Sequence, residues 1–479
     1  WMVRAGRVPG RRAFILLQRS MCTVCSQLEN TIKEDPGKRG IAPLCIPGDL
    51  TAAAKILAAA KLLPMCHAYH LSSCRSATST ARQMRAIVLD HHSDPNEPVD
   101  ASFFRTTMVA APAPWIDGGL VGGAEYELRL QTLALSVDPY MRCRFNEVSG
   151  AHYVSSFKVG EPITSAGIGR VVNVGPALEG QFAVGDLVVE GSMHFPWVEE
   201  ATFDLTPRRN PTRAAGSGLM VHKIPPALCC ITAPTGILGA VGQTGLTAFF
   251  GIERLAFRHG LTRGDVVVVS SAAGAVGSVA CALARRKGCI VIGLCGSEEK
   301  VAWLMEENLC DTALNYKDAR FAEMLGTTCN SKVAVYWDNV GGVISDLVIE
   351  QMAQDSLIVL CGQISTYDTD TEYPPPLRGT AAATAASRNI HRHRHLVLDY
   401  QDEFMTGINE LLLAVAEGQV KPFETTLIGL ETAPEAFEHV MSGRNRGKQI
   451  VLVSEFPKWV TWAHACGKFV PSWLWRYVI

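Results

Sequence analysis

Charge is scarce in this chain of 479 residues: only 19% are Asp, Glu, Lys or Arg, and the formal net charge at pH 7 is −2. No stripe of Lys and Arg interleaved with aromatics occurs, so charge gives no footing for a nucleic-acid partner. Uninterrupted apolar runs are missing as well. No charge lies between Lys223 and Glu253 or between Val266 and Ala284, yet Gly, Ser, Thr, Gln or Pro break both stretches ("PTGILGAVGQTG", "SSAAGAVGS"). A membrane span wants about 20 predominantly apolar residues. Both stretches therefore read as buried soluble core.

The cysteine pattern of a disulfide framework is also lacking. The 15 cysteines are scattered, and Cys281, Cys289, Cys295 and Cys361 sit inside apolar runs, as in a reduced, cytosol-type protein. Cys22 and Cys25 in "CTVC" have no second pair at zinc spacing and no βαβ pattern around them, and read as an inert pair.

Acidic residues are absent from Trp1 through Leu28 and again from Thr51 through Leu89. With "HLSSCRSATSTARQMR" rich in Ser, Thr and Arg, residues 1–83 read as a mitochondrial presequence or as an upstream extension, Met65 and Met84 being later starts. The expected compartment is the cytoplasm, or the mitochondrion if the basic segment is a presequence. Residues 457–479 are rich in aromatics and follow what reads as a terminal strand, so they are set apart as an atypical tail.

What remains is long enough for two domains, and 48% apolar residues can supply their cores. Residues 84–228 show short β-like runs with Gly and Pro turns, such as "YELRLQTLALSVDPY" and "GIGRVVNVG", predicting a barrel-like β portion. Between 229 and 400, Val- and Ile-rich strands ("DVVVVS", "CIVIGLCG", "TALNY", "VAVYWDNV", "SLIVLCG") alternate with helical stretches. Such runs are apolar throughout, as parallel strands covered on both faces are. Residues 401–456 read as helix, helix, strand, and "PRRNPTRAAGSG" from Pro207 to Gly218 as a polar surface loop.

One join stands out. The valine strand ends at Ser270, and Ala272, Gly274 and Gly277 occupy the three small-residue places of a dinucleotide fingerprint, with Ala at the first. Small residues let backbone approach a pyrophosphate, whose charge then faces a helix N-terminus. A strand-to-helix turn kept small merely for packing reads the same. The next strand ends in Gly296 and Ser297 with Lys300 one turn on, where an NAD site usually offers an acid. That favours a 2′-phosphate and hence NADPH, unless Lys300 is simply a solvated helix charge.

In order along the chain, "LSVDPYMRCRFNE", "AAGAVGS", "GSEEK", "NYK", "DNVGG", "CGQISTY", "YPPPL" and "GKQIV" closely resemble the zinc-independent medium-chain dehydrogenase/reductases of the leukotriene B4 12-hydroxydehydrogenase group, especially its 15-oxoprostaglandin 13-reductases. The similarity runs from about Met84 to Ser454. It implies an α/β protein with a Rossmann nucleotide-binding domain plus a GroES-like β-barrel catalytic domain. It further implies a monomer or homodimer that reduces small lipid enones, 15-oxoprostaglandins among them, with NADPH. Zinc-dependent relatives need a Cys and a His-Glu pair; here the corresponding places hold "DPYMRCRF" and "PITSAGIG", so no metal is expected. "HRHRH", His391 to His395, reads as a solvated basic edge ahead of a strand rather than a metal cluster.

Carried over residue by residue, the resemblance assigns Gly274, Ala275, Val276 and Gly277 to the pyrophosphate and Lys300 and Tyr316 to the 2′-phosphate end. Asn339 follows the fourth strand. Cys361, Gly362, Gln363, Ile364, Ser365, Thr366 and Tyr367 run along the nicotinamide, with His395, Leu396 and Val397 on its far side, and Asn445 is the last cofactor contact. Hydride delivery to an enone leaves charge on the ketone oxygen, so a donor is required there. Tyr367 is the candidate catalytic residue, an aromatic loop anchor being the alternative. Met193, His194, Tyr367, Leu396 and Val397 would line the substrate. The chain departs from the family at Met193 and His194, where the 15-oxoprostaglandin 13-reductases carry Phe-Tyr, and at His395, where the family has Phe. "YPPPL", Tyr373 to Leu377, is either a stiff pocket rim or a plain turn. Other readings of the same pattern are a quinone or alkenal reductase and a non-catalytic, crystallin-like NADPH-binding protein.

Overall fold

The computed structural model describes residues 82–112, 124–149, 154–206, 221–369, 374–468, 470, 475 and 479. The presequence-like segment, "CTVC", the Pro207–Gly218 loop and Tyr373 lie outside the described residues, apart from Arg82 and Gln83 at the end of the first.

Among the described residues two larger sheets form, with a small antiparallel pair of β1 (Gln83–Leu89) and β2 (Phe104–Ala110) beside them. The β-rich lobe contributes β3 (Glu127–Val137), β4 (Thr164–Val174), β5 (Leu187–Pro196), β6 (Glu200–Asp204) and β7 (Val221–Lys223). The second sheet is β8 (Val266–Val269), β9 (Ile290–Cys295), β10 (Thr312–Asn315), β11 (Val333–Asp338), β12 (Met352–Leu360) and β13 (His391–Arg394). The chain then returns to the first sheet with β14 (Glu424–Ile428) and β15 (Lys448–Leu452), giving the order β14-β15-β3-β4-β5-β7 with β6 paired to β3.

The second sheet is parallel throughout, in the order β10-β9-β8-β11-β12-β13. Chain order reverses between β8 and β11, which is where open α/β sheets bind ligands, outside the carboxyl ends of their strands. Val267, Val268 and Val269 of β8 are fully buried. Their β-branched side chains meet helices on both faces of the sheet, which is why the run carries no polar alternation.

Three details differ from expectation. The run His391–Arg394 does not precede a strand; it is β13, the edge strand, and "LVLDY" instead enters a 3-10 turn spanning Val397–Glu403. Edge position tolerates the outward His and Arg. His395 leaves that edge and is buried. The 401–456 stretch contains an extra strand, β14, beyond the expected helix, helix, strand. Finally, residues 458–467 do not stand apart. Their helix, Lys458–Gly467, seats Val460 and Ala463 in the main core, and Gly467 lies so close to Cys230 that a Cβ there would sit 1.7 Å from its carbonyl oxygen. Trp475 joins the same core. Among the described residues no helix is long and apolar enough to cross a membrane.

Candidate active site

The turn after β8 is built by exclusion of side chains. A Cβ on Gly277 would lie 2.2 Å from the Ser271 carbonyl oxygen, and one on Gly274 would lie 3.0 Å from Ser271 Oγ. Gly274 is the N-cap of the 12-residue helix Ala275–Arg286 and offers no side-chain cap. The first-turn N–H groups of Ala275, Val276 and Gly277 are thus left for an outside acceptor. Ala272 is fully buried and donates its N–H to the Leu294 carbonyl of β9 (3.0 Å), so an alanine serves where the fingerprint usually has glycine.

The loop before β15 closes over this turn. Gly447 donates its N–H to the Ala273 carbonyl (2.8 Å), and Asn445 Nδ2 donates to the Gly447 carbonyl (2.8 Å). Lys300, from the helix after β9, reaches the same loop and donates from Nζ to the Gly443 carbonyl at 2.6 Å. Burial depresses the Lys300 ammonium below its usual range, and the like charges of Arg446 and Lys317 push the same way. Lys317 and Arg446 thus lie near enough to act on the Lys300 charge, making a cation cluster in which Arg446 also meets the Glu299 carboxylate at 3.6 Å. Tyr316 packs its hydroxyl over Gly296, where a Cβ would approach it to 2.5 Å, and burial raises its pKa.

At the switch point Asn339 ties β8 to β11. Its backbone N–H donates to Ser270 Oγ (2.9 Å), its Nδ2 to the Ser270 carbonyl (2.7 Å), and its Oδ1 accepts from Trp337 Nε1 (3.1 Å). The loop Cys361–Tyr367 is stitched to the same place. Cys361 and Gly362 donate their N–H groups to the Asp338 carbonyl, Ile364 to that of Asn339 and Ser365 to that of Val340, at 3.0–3.2 Å. Thr366 closes the turn onto the Gln363 carbonyl (2.8 Å). The Tyr367 ring folds back so that its hydroxyl overlies Gly362, 2.8 Å from where a Cβ would be.

His395 lies behind this loop. Its Nε2 faces the Thr247 carbonyl at 2.8 Å, which fixes the proton on Nε2, and its ring meets Trp337 edge-on. Burial pushes its pKa down, so the ring is neutral. Leu396 is half-buried, while Val397 is buried in the main core.

On the other lobe Met193 and His194 sit in β5. Met193 is buried with φ of 68°, a left-handed conformation that costs a non-glycine residue strain. The fully buried Glu190 carboxylate braces it by accepting from the Ser192 and His194 N–H groups, both at 2.8 Å, and from Ser192 Oγ. Burial raises the Glu190 pKa against those bonds. His194 is exposed. The structure thus bonds the Gly447–Asn445 loop to the turn after β8 and the Cys361–Tyr367 loop to the Asp338–Val340 end of β11, and sets Met193 and His194 on a separate strand, where Arg144 Nη1 donates to the Met193 carbonyl (3.4 Å).

Four residues escaped the sequence reading. Asp338 is buried and accepts from Tyr336 Oη, Ser345 Oγ, Gln363 Nε2 and the Val340 and Gly341 N–H groups. Its place directly before Asn339 was the available signal. Lys317 and Arg446 adjoin the named Tyr316 and Asn445, and Arg142 lies within "DPYMRCR".

Among the described residues no group of three or more His, Cys, Asp and Glu is disposed to hold a metal ion. A glycine turn at the switch point of a parallel sheet, roofed by a loop from a second β-rich lobe, defines a dinucleotide-binding two-lobe protein. Residues 86–206 match the family model "N-terminal domain of oxidoreductase", and residues 310–451 match "Zinc-binding dehydrogenase". The chain is 34% identical to a putative NADP-dependent oxidoreductase of Bacillus subtilis, YfmJ, covering 74% of this chain and 93% of that one. It is 34% identical to prostaglandin reductase 1 of Bos taurus, covering 68% and 89%. The solved structure of CurA from Vibrio vulnificus in complex with NADPH aligns with a TM-score of 0.64 at 27% identity, covering 78% and 100%. The chain belongs to the zinc-independent medium-chain dehydrogenase/reductases.

Proposed function

We propose that the protein uses NADPH to reduce the alkene of α,β-unsaturated ketones, with 15-oxoprostaglandins as the substrate class. The relatives' activities support oxidoreduction with a phosphorylated nicotinamide cofactor, and the residues present fit that group. A side chain at Gly277 would collide with the Ser271–Ala272 backbone, so glycine keeps the turn tight enough for the helix's first-turn N–H groups to face a pyrophosphate, and Lys300, Lys317 and Arg446 supply positive charge for a 2′-phosphate. The observation that carries the reading is the common anchorage of the phosphate turn and the Tyr367 loop on the Ser270–Asn339 junction.

When bound, the cofactor supplies a hydride from its nicotinamide. The chain's own task is then to orient the enone and receive charge at the ketone oxygen. Tyr367 donates its O–H hydrogen bond to that oxygen as it becomes an enolate, in a site sheltered from water. Ala275, Val276 and Gly277 would hold the pyrophosphate with first-turn N–H groups, the Gly274 N–H being donated to the Ser271 carbonyl, and the Cys361–Thr366 segment would hold the nicotinamide end. Leu396 offers an apolar surface toward the substrate, and the strained Met193 a flexible one. Val397, being in the core, supports Leu396 from behind. Proton return to the α-carbon comes from water.

The test compares 15-oxoprostaglandin E2, a simple alkenal and a quinone as oxidants of NADPH by the purified protein. The proposal expects the 15-oxo enone to give the highest kcat/KM. A quinone preference would assign quinone reduction instead, and slow NADPH oxidation with all three would leave a binding protein.

A further inference from the structure

The segment Pro139–Arg144, a 3-10 helix directly after β3, carries two buried arginines, Arg142 and Arg144, beside the candidate site. Just before it, Asp138 pairs with the buried Lys448, next to Gly447 over the phosphate turn. At its end, Arg144 holds Thr164 and the Met193 carbonyl. In the middle, Arg142 reaches across to the Tyr367 loop.

Arg142 is fully buried, and the β-rich lobe seats it in advance. Nη1 donates to Asn146 Oδ1 (2.7 Å) and Ser93 Oγ (3.2 Å), and Nη2 to the carbonyls of Glu97 (2.6 Å), Asp94 (3.2 Å) and Pro95 (3.3 Å). All of these acceptors are neutral. The carboxylate that Arg142 meets comes from the other lobe: Nε donates to Asp368 Oδ1 at 2.5 Å. The neighbouring Cys143 thiol is pushed up to about 11, chiefly by burial, so it stays protonated at pH 7 and does not compete. A guanidinium removed from water and held by uncharged groups strongly favours an anion in the remaining fork position.

Asp368 is the residue after Tyr367. Before it, the Tyr367 N–H donates to the Ile364 carbonyl (3.2 Å), and beyond it Thr369 turns back onto the Thr366 carbonyl (3.2 Å). Pinning the Asp368 carboxylate to a rigid socket on the opposite lobe therefore fixes the backbone that carries the Tyr367 ring. We infer that Arg142 and Asp368 form an inter-lobe positioning pair that sets the Tyr367 hydroxyl at the substrate oxygen. This rests on the reading of Tyr367 as the donor. A hydroxyl misplaced by an ångström loses most of its effect on turnover while leaving the cofactor's phosphate contacts alone.

The experiment is a double-mutant cycle on the full chain with Asp368→Ala and Tyr367→Phe, reading kcat with a 15-oxo enone and NADPH affinity by fluorescence titration. Truncating Asp368 unpairs the buried Arg142, so folding is checked by the thermal midpoint with NADPH, and Asp368→Asn, which keeps an acceptor for Arg142 Nε, is read in the same cycle as the second variant. The expected result is that Asp368→Ala lowers kcat by about tenfold with NADPH affinity within about twofold of the wild type. In the Tyr367→Phe background the same truncation has no further effect. Unchanged kcat in Asp368→Ala, or an equal loss in both backgrounds, overturns the pair as a positioning device. Failure of the Tyr367 reading shows separately, as full activity in Tyr367→Phe alone.

Discussion

Gln363 donates from Nε2 to the buried carboxylate of Asp338 at 2.8 Å, fastening the loop that carries Tyr367 to the end of β11. Asp338 accepts four further bonds, so the carboxylate organises the whole carboxyl edge of the sheet beside the switch point. Replacing it with Leu strands those donors in a dry site. Asp338→Leu is predicted to lower stability by about 3 kcal/mol or more, from the usual cost of unpaired buried donors. Urea unfolding midpoints of mutant and wild type check it.

The cation cluster has a selective consequence. Lys300→Ala is predicted to weaken NADPH binding by about tenfold or more, since charge-assisted bonds to a phosphate contribute on the order of 1.5–3 kcal/mol. NADH binding, which lacks the 2′-phosphate, should change by less than about twofold. Paired titrations of the two cofactors decide it; equal losses would place Lys300 elsewhere than at that phosphate.

Gly362 sits under the Tyr367 hydroxyl with no room for a methyl group. Gly362→Ala is predicted to displace the ring and reduce kcat by about tenfold without altering NADPH affinity. Steady-state kinetics alongside a cofactor titration separate the two quantities.

His395 gives a pH signature. Its folded pKa lies below the ordinary value, mainly because burial disfavours the charged ring. A depressed folded pKa means stability that is present above the unfolded value and lost as pH falls through the folded one. The wild type should therefore lose stability on acidification below about pH 6.5. His395→Phe should show a shallower loss over that window. Denaturant midpoints measured from pH 8 to pH 5 test the difference in slope.

Much of the Rossmann lobe was legible because its strands are continuous β-branched runs bounded by Gly and polar residues, as in "DVVVVSSAAGAVGS". Val266–Val269 and the helix from Ala275 follow from that pattern. β13 was not, because "HRHR" has no apolar residue: its strand form comes from pairing with β12, a tertiary effect. The helix Lys458–Gly467 was missed for a similar reason. Its apolar face matters only once Cys230 and its neighbours are beside it. At the site, small residues and motif order pointed to the turn after β8 and the Cys361–Tyr367 loop as candidates. The bonds that hold them, Asp338 to Gln363 and Arg142 to Asp368, join residues far apart in the chain and leave no local trace.

The most direct measurement follows a label. Purified protein is given a 15-oxoprostaglandin and NADPH carrying deuterium at nicotinamide C4, each face of the ring in turn, and the product is read by mass spectrometry and NMR. Deuterium on the former alkene carbon β to the ketone, from one face only, is the predicted result. An unlabelled product, or deuterium on the carbinol carbon of a reduced ketone, contradicts it.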